Sequence, residues 1–322
     1  MVKLAASTNF STKTTCPLFL SQILCANCNM NYSEWHHIAH QAAIGDITEA
    51  VELSTSAISQ SWQLTTNGGQ QYWARTCLAR HQAVIECEVE NIAALQQAGI
   101  RTQTNVLQGK TSKTAWLITN WQELSQTTVE PQQALTELHG LHCQQSPRDA
   151  YGWAHANDIN GLVQSNQWLT DWASFYRSQR LLPQLRKAKE NGLAQRFIDT
   201  MEGLLAHHYE SCFEQHHPKP SLVHGNLYQS PPCLTPDGAA FFYHPACYYG
   251  DAEVDLAALL LAHSRPALTE TGIWNPALDL SCKTQSRLPW YQLYYALVEF
   301  NLMTQQDTRL IAILLQQIQS NQ

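Results

Sequence analysis

Residues Ser221 to Ala257 read SLVHGNLYQSPPCLTPDGAAFFYHPACYYGDAEVDLA, and this stretch restricts the fold more than any other. Pro231-Pro232 and the turn signal Pro236-Asp237-Gly238 break its first half into loop and short strands. From Asp255 to His263 it becomes an apolar helical run. His224, Asn226, His244, Asp251, Glu253 and Asp255 are spread along it, so groups able to bind or react are held between tight turns.

The chain of 322 residues is long enough for two domains or one two-lobed unit, and its 44% apolar content is ample for a core. Only 14% of residues are charged, and the net charge is -7. That balance argues against nucleic acid or an anionic membrane as partner, since both require a basic surface. Ten cysteines are scattered without a compact disulfide framework. Cys25-x-x-Cys28 is the one close pair, and no second pair completes a zinc site. These features read as reduced thiols in a cytoplasmic protein. No apolar run reaches membrane-span length. The patch Pro17 to Leu24 is interrupted by Ser and Gln and makes a poor secretory signal.

Along the chain, Asn31 to Ala43 reads as a helix with Trp35, Ile38 and Ala42 on one face. Ala57 to Thr65 and Gln71 to Thr76 flank Asn67-Gly68-Gly69, a strong hairpin signal. Ala83 to Gln97 reads as a helix with Val84, Cys87, Ile92 and Leu95 inward, and Thr104 to Leu107 with Ala115 to Asn120 as a strand pair. Helices follow at Gln132 to His142, Gln167 to Asn191, Leu193 to His208, Pro289 to Met303 and Asp307 to Ile318. The aromatic set Trp153, Trp168 and Trp172 reads mostly as core. His36 and His40 have helical metal-pair spacing but no third ligand, and read as surface histidines.

Several spaced blocks, in order, carry a resemblance. His224-Gly225-Asn226-Leu227-Tyr228 and Tyr248-Tyr249-Gly250-Asp251-Ala252-Glu253-Val254-Asp255-Leu256-Ala257 form its centre. Tyr151-Gly152-Trp153 with Asn157, Gln164, Asn166, Trp168 and Asp171-Trp172 form a second block. Phe175 to Leu181 and Arg287 to Tyr294 complete it. The chain resembles the fructosamine (ketosamine) kinase family, relatives of the aminoglycoside phosphotransferases, from about residue 31 to 320. The resemblance implies an α+β, two-lobed, protein-kinase-like fold. A small N-lobe sheet with one main helix would span 30–123, and a larger, mostly helical C-lobe 124–322, joined at a hinge near 121–126. Residues 1–29 would be an atypical extension, mobile or loosely docked, with Met30 an alternative start.

The resemblance also implies ATP and Mg²⁺ as cofactors and a glycated amine as the ligand whose sugar hydroxyl is phosphorylated. Such chemistry rests on positioning and electrostatics. The family's base Asp corresponds to Asn226, whose amide is not basic, and general base catalysis is worth about 10²–10⁴-fold. The metal-binding Asn and Asp correspond to Pro231, which offers no donor atom, and His244, whose nitrogen suits magnesium poorly. His224 and His244 read as hydrogen-bonding groups rather than a zinc pair. The phosphate-contacting Lys corresponds to Arg75, with Glu88 as partner, and Arg is not equivalent to Lys there. The glycine-bearing phosphate loop corresponds to Ser54 to Trp62, with Ser56 at its centre and no glycine. Asn120 and Trp121 lie at the adenine-side hinge. Asp255 would support the catalytic loop backbone. Three readings follow: an impaired kinase that binds a small molecule or partner, an active atypical ketosamine kinase using Asp251 as rescuing carboxylate with water-held Mg²⁺, or a scaffold with no specific ligand.

Overall fold

The structure is a computed structural model that describes residues 3–4, 30–125, 127–264, 280–303 and 307–321. Helix α1 (Tyr32–Ala42) is opened by Asn31, whose side chain accepts from Glu34 N, and Trp35, Ile38 and Ala42 are buried as expected. A six-stranded sheet follows, in the order β1-β2-β3-β4-β6-β5. Its strands are β1 (Lys3–Leu4), β2 (Ile47–Thr55), β3 (Ser59–Thr66), β4 (Gln71–Leu78), β5 (Leu107–Lys110) and β6 (Thr114–Asn120). The β3–β4 hairpin turns at Gly69, whose φ of 79° suits glycine. β1 pairs parallel with β2 at Glu49 and Ala50; the remainder of the atypical extension lies outside the described residues.

Helix α2 (Gln82–Gln97) connects β4 to β5. Its buried face is Ile85, Glu88, Asn91, Ile92 and Leu95, so Val84 and Cys87 lie beside the inward face expected for them. Ile92 and Leu95 are buried as expected; in the first half of the helix Ile85 and Glu88 take the inward positions, and two polar side chains are drawn inward by partners described below. The strand expected at Thr104 to Leu107 lies later, at β5; Asn105, with φ 52°, interrupts the extended run.

The helical part contains α3 (Pro131–His142), α4 (Trp172–Tyr176), α5 (Leu182–Glu190), α6 (Gln195–His207), α7 (Tyr209–Phe213), α8 (Glu253–Ser264), α9 (Cys282–Leu302) and α10 (Arg309–Ser320). One continuous helix from Gln167 is not formed. Leu169 instead exchanges backbone hydrogen bonds with Tyr151, and Asp171 caps α4 by accepting from Ser174 N at 2.7 Å. A π turn, Arg177–Leu181, joins α4 to α5. Pro183 has no N–H to give the Gln179 carbonyl, which accepts from Arg180 Nη1 at 3.0 Å. Helix α9 starts ahead of Pro289, capped by Ser281, and runs through the proline although its missing N–H costs a helical hydrogen bond; the burial of Leu288 to Val298 offsets that loss.

Three short ladders beside the main sheet position the site: β7 (Asn157–Ile159) with β8 (Leu162–Gln164), β9 (Ser221–Val223) with β12 (Tyr248–Gly250), and β10 (Cys233–Leu234) with β11 (Ala240–Phe241). The large core of the helical part is rich in stacked aromatics, including Trp172, Phe175, Tyr176, Tyr291 and Tyr294. Trp172 belongs to it, whereas Trp153 and Trp168 are half-buried against Tyr249. No helix among the described residues is long and apolar enough to cross a membrane.

Candidate functional site

The loop after β9 is built on one carboxylate. Asp255, in the first turn of α8, accepts from His224 N at 2.8 Å and Gly225 N at 2.9 Å, and His142 Nε2 lies 2.9 Å away. Gly225 has φ 75°, and a Cβ there would come within 2.4 Å of the Ala246 carbonyl oxygen. Burial alone would raise the Asp255 carboxyl; the His142 and backbone hydrogen bonds bring it below its usual range. His224 is fully buried, and burial pushes its imidazole down to about 4 despite the nearby Asp255 charge.

That shift has a consequence for acid stability. Between pH 6.5 and about 4 an unfolded chain protonates this histidine and the folded one does not. The unfolded state then binds more protons, so stability falls as pH falls. The expected loss across that window is about 3 kcal/mol from His224. Denaturant unfolding at pH 7.5 and pH 4.5 checks it; equal midpoints at the two pH values would contradict the buried neutral imidazole.

Asn226 donates through Nδ2 to the His244 carbonyl at 2.8 Å and to Ser230 Oγ at 3.4 Å. Its Oδ1 is buried with no partner among the described residues. His244 sits in the left-handed region, φ 51°. Its Nδ1 lies 2.8 Å from Glu88 Oε1, and its ring meets the edge of Trp73 at 5.3 Å between centroids. Pro231, two residues ahead of β10, supplies no side-chain donor.

Glu88 also receives Arg75 Nη1 at 2.6 Å. Burial opposes charge on this carboxyl, but the Arg75 guanidinium and the His244 hydrogen bond outweigh it and hold it well below the usual range. Arg75 Nε donates to Ser59 Oγ at 3.0 Å, and Nη2 faces Asp158 Oδ1 at 3.7 Å. The turn between β2 and β3 is closed on itself. Ser56 N donates to Ser59 O at 2.8 Å, while Ser59 N and Ile58 N donate to Ser56 Oγ at 3.1 and 3.4 Å. The Ile58 and Ser59 amides are therefore directed to a hydroxyl within the turn and the Ser56 amide to a carbonyl. At the hinge, Asn120 N and Trp121 N donate to Thr104 O and Gln71 O at 3.1 and 3.2 Å.

Asp251 corrects an expectation. It follows β12, whose antiparallel register pairs Gly250 with Ser221 and Tyr248 with Val223. Asn226 lies past the Val223 end and Asp251 past the Ser221 end, so the whole ladder separates them. Asp251 is buried and already engaged, by His216 Nε2 at 2.5 Å, Tyr291 OH at 2.6 Å and Glu253 N at 3.0 Å. It is not placed to replace a carboxylate at Asn226. Among the described residues, His216, Asp251 and Glu253 are the group of three metal-capable side chains. Arg287 forks onto Glu253 at 2.8 and 2.7 Å, so the carboxylates of this group serve a hydrogen-bonded network.

Sequence reasoning missed Asp158 and the hairpin that carries it. The signal was present as Asn160-Gly161, a two-residue turn with φ 52° and 100° at its centre. It also missed Arg180, which is fully buried over the Tyr248 ring at 4.0 Å and donates to Asn166 Oδ1 at 2.6 Å, fixing the segment after that hairpin.

Magnesium needs several hard oxygen ligands in near-octahedral geometry. Of the two metal-binding positions that the resemblance implies, Pro231 offers no donor atom and His244 a nitrogen already turned to Glu88, while Asn226 nearby adds one neutral amide oxygen. These residues do not fit that ion.

An antiparallel sheet with one crossing helix, a buried Arg–Glu pair beneath it, and a loop held by the first-turn carboxylate of a following helix together define a kinase-like phosphotransferase fold. The sequence profile of the fructosamine kinase family matches residues 30–321, and the chain belongs to that family. It is 31% identical over 267 residues to a protein of Vibrio parahaemolyticus described as a probable ketoamine kinase, covering 80% of this chain and 87% of the relative. A crystal structure of a candidate fructosamine-3-kinase from Haemophilus somnus superposes with a TM-score of 0.71 at 22% identity, covering 90% of this chain and 99% of the other. The aminoglycoside phosphotransferase APH(4)-Ia, in ternary complex with AMP-PNP and hygromycin B, has the same fold at a TM-score of 0.54 and 14% identity, over 90% of this chain and 97% of its own.

Proposed function

We propose that this chain is a catalytically impaired member of the fructosamine kinase family, which keeps the two-lobed scaffold and binds a small glycated amine or a partner without transferring phosphate. The observation that carries the reading is His244: its imidazole is hydrogen-bonded to Glu88 where the family pattern implies a metal-binding carboxylate. Asn226 supports it from the other side, since an amide cannot accept the hydroxyl proton and removes about 10²–10⁴-fold in rate. The buried, unpartnered Oδ1 of Asn226 remains able to accept a hydrogen bond from a ligand hydroxyl. The alternative of an active enzyme using Asp251 loses its carboxylate to the His216 and Tyr291 network.

The test is transfer of labelled γ-phosphate from Mg–ATP to a fructose–lysine adduct by the purified chain. No transfer above a protein-free control is expected. Steady multiple turnover would overturn the reading.

A further inference from the structure

The two lobes are held together across the cleft by buried charges in the place where a kinase-like protein would hold nucleotide and metal. Each nitrogen of the Arg75 guanidinium faces an internal oxygen: Nη1 on Glu88 at 2.6 Å, Nε on Ser59 Oγ at 3.0 Å and Nη2 towards Asp158 Oδ1 at 3.7 Å. Both Glu88 oxygens are also used, one by Arg75 and the other by His244. Arg75 and Glu88 lie in the sheet lobe; Asp158 and His244 belong to the other.

The hairpin carrying Asp158 is itself fixed. Asn157 Nδ2 donates to Cys247 O at 2.5 Å, Cys87 Sγ donates to Asn157 Oδ1 at 3.0 Å, and Asn91 Nδ2 reaches Pro245 O at 3.2 Å. Its turn abuts the tip of the β2–β3 loop: a Cβ on Gly161 would stand 3.4 Å from Ala57 Cβ and 3.8 Å from Ile58 Cγ1. The serine turn, Arg75, Asp158 and the hairpin thus form one continuous contact over the cleft.

We propose that Asp158 and His244 act as internal substitutes for a nucleotide phosphate and its metal ion, so that the cleft is clamped shut by the chain's own charges. The proposal deepens the reading above and rests on it, because a cleft that works with Mg–ATP cannot keep these groups in place. The chemistry favours the internal partner. A tethered carboxylate acts at an effective concentration that reaches millimolar or more. Water is largely excluded, so an incoming phosphate must displace a buried ion-pair partner rather than solvent.

Hydrogen exchange on the full chain tests the clamp. Asp158→Asn keeps the side-chain shape and the contact with the Gly161 amide but removes the charge. It is expected to speed exchange about fivefold in residues 56–61 and 157–164, with α9 amides unchanged, because only local opening becomes easier. Asp158→Glu keeps the charge and is expected to retain slow exchange. Arg101→Ala, which removes the exposed Arg101–Asp237 ion pair between the same lobes, is the control and should leave both segments as they were. Unchanged exchange in both segments of Asp158→Asn would overturn the clamp, as would acceleration spread equally into α9. Turnover by the unaltered chain would overturn the preceding reading and is scored separately from this exchange pattern.

Discussion

Glu88→Ala is expected to be the most damaging single substitution in the cleft, lowering stability by about 3 kcal/mol. The side chain is almost wholly buried and satisfies Arg75 and His244 together, at 2.6 and 2.8 Å. Its removal leaves a buried guanidinium with the Ser59 hydroxyl and one weaker charged partner, Asp158 at 3.7 Å, and detaches His244. Truncating one member of a buried pair costs far more than the pair contributes against an apolar substitute, because the remaining charge has no solvent to turn to. At ~2 °C per kcal/mol the melting temperature should fall by roughly 6 °C. Arg101→Ala supplies the contrast: that ion pair is exposed on both sides and should leave the melting temperature unmoved. If both substitutions have the same small effect, the Glu88 network is not what joins the lobes.

The second large effect is a gain. The triple substitution Asn226→Asp, Pro231→Asn and His244→Asp restores the acidic and amide oxygens that the family pattern implies. It also releases Glu88 Oε1 from the imidazole. Hard oxygen ligands are what a magnesium ion requires, so the variant should bind ATP at least tenfold more tightly with Mg²⁺ than without it. Single substitutions should do little, because groups that act as a unit are not additive. Restored binding need not bring turnover. The turn at Ser56 keeps its amides on its own hydroxyl, and Arg75 still faces Asp158. A triple variant with no Mg²⁺-dependent binding would show that the loss lies in the closed loop and not in the ligand set.

Much of the scaffold was legible because local signals and packing agree there. Asn67-Gly68-Gly69 marks a hairpin whose strands form as expected, and Trp35, Ile38 and Ala42 keep the helical period that places α1 on the sheet. Legibility failed where a polar group decides the geometry. Glu88 and Asn91 turn inward because Arg75 and the Pro245 carbonyl await them, so the first half of α2 departs from the apolar reading while Ile92 and Leu95 keep to it. Strand β2 has a bulged, mostly exposed pattern with no alternation, since it lies near the sheet edge. Pro289 looked like the start of a helix, yet tertiary packing carries α9 through it.

The site divides in the same way. Its positions could be read from Ser221 to Ala257, but its contacts could not. The meeting of His244 with Glu88, more than 150 residues apart in the chain, depends on how the lobes close. Asp251 looked available as a carboxylate because a linear motif does not reveal that it lies at the far end of the β9–β12 ladder. Asp158 was overlooked because its hairpin is short, although Asn160-Gly161 announced the turn.

The most direct test of the central claim is calorimetric titration of the unaltered chain with ATP, with and without millimolar Mg²⁺. The account predicts no Mg²⁺-dependent heat of binding, since Pro231 and His244 give the ion no oxygen and the Glu88 and Asp158 carboxylates are taken by Arg75 and His244. A clear Mg²⁺-dependent isotherm that saturates at one nucleotide per chain would contradict it.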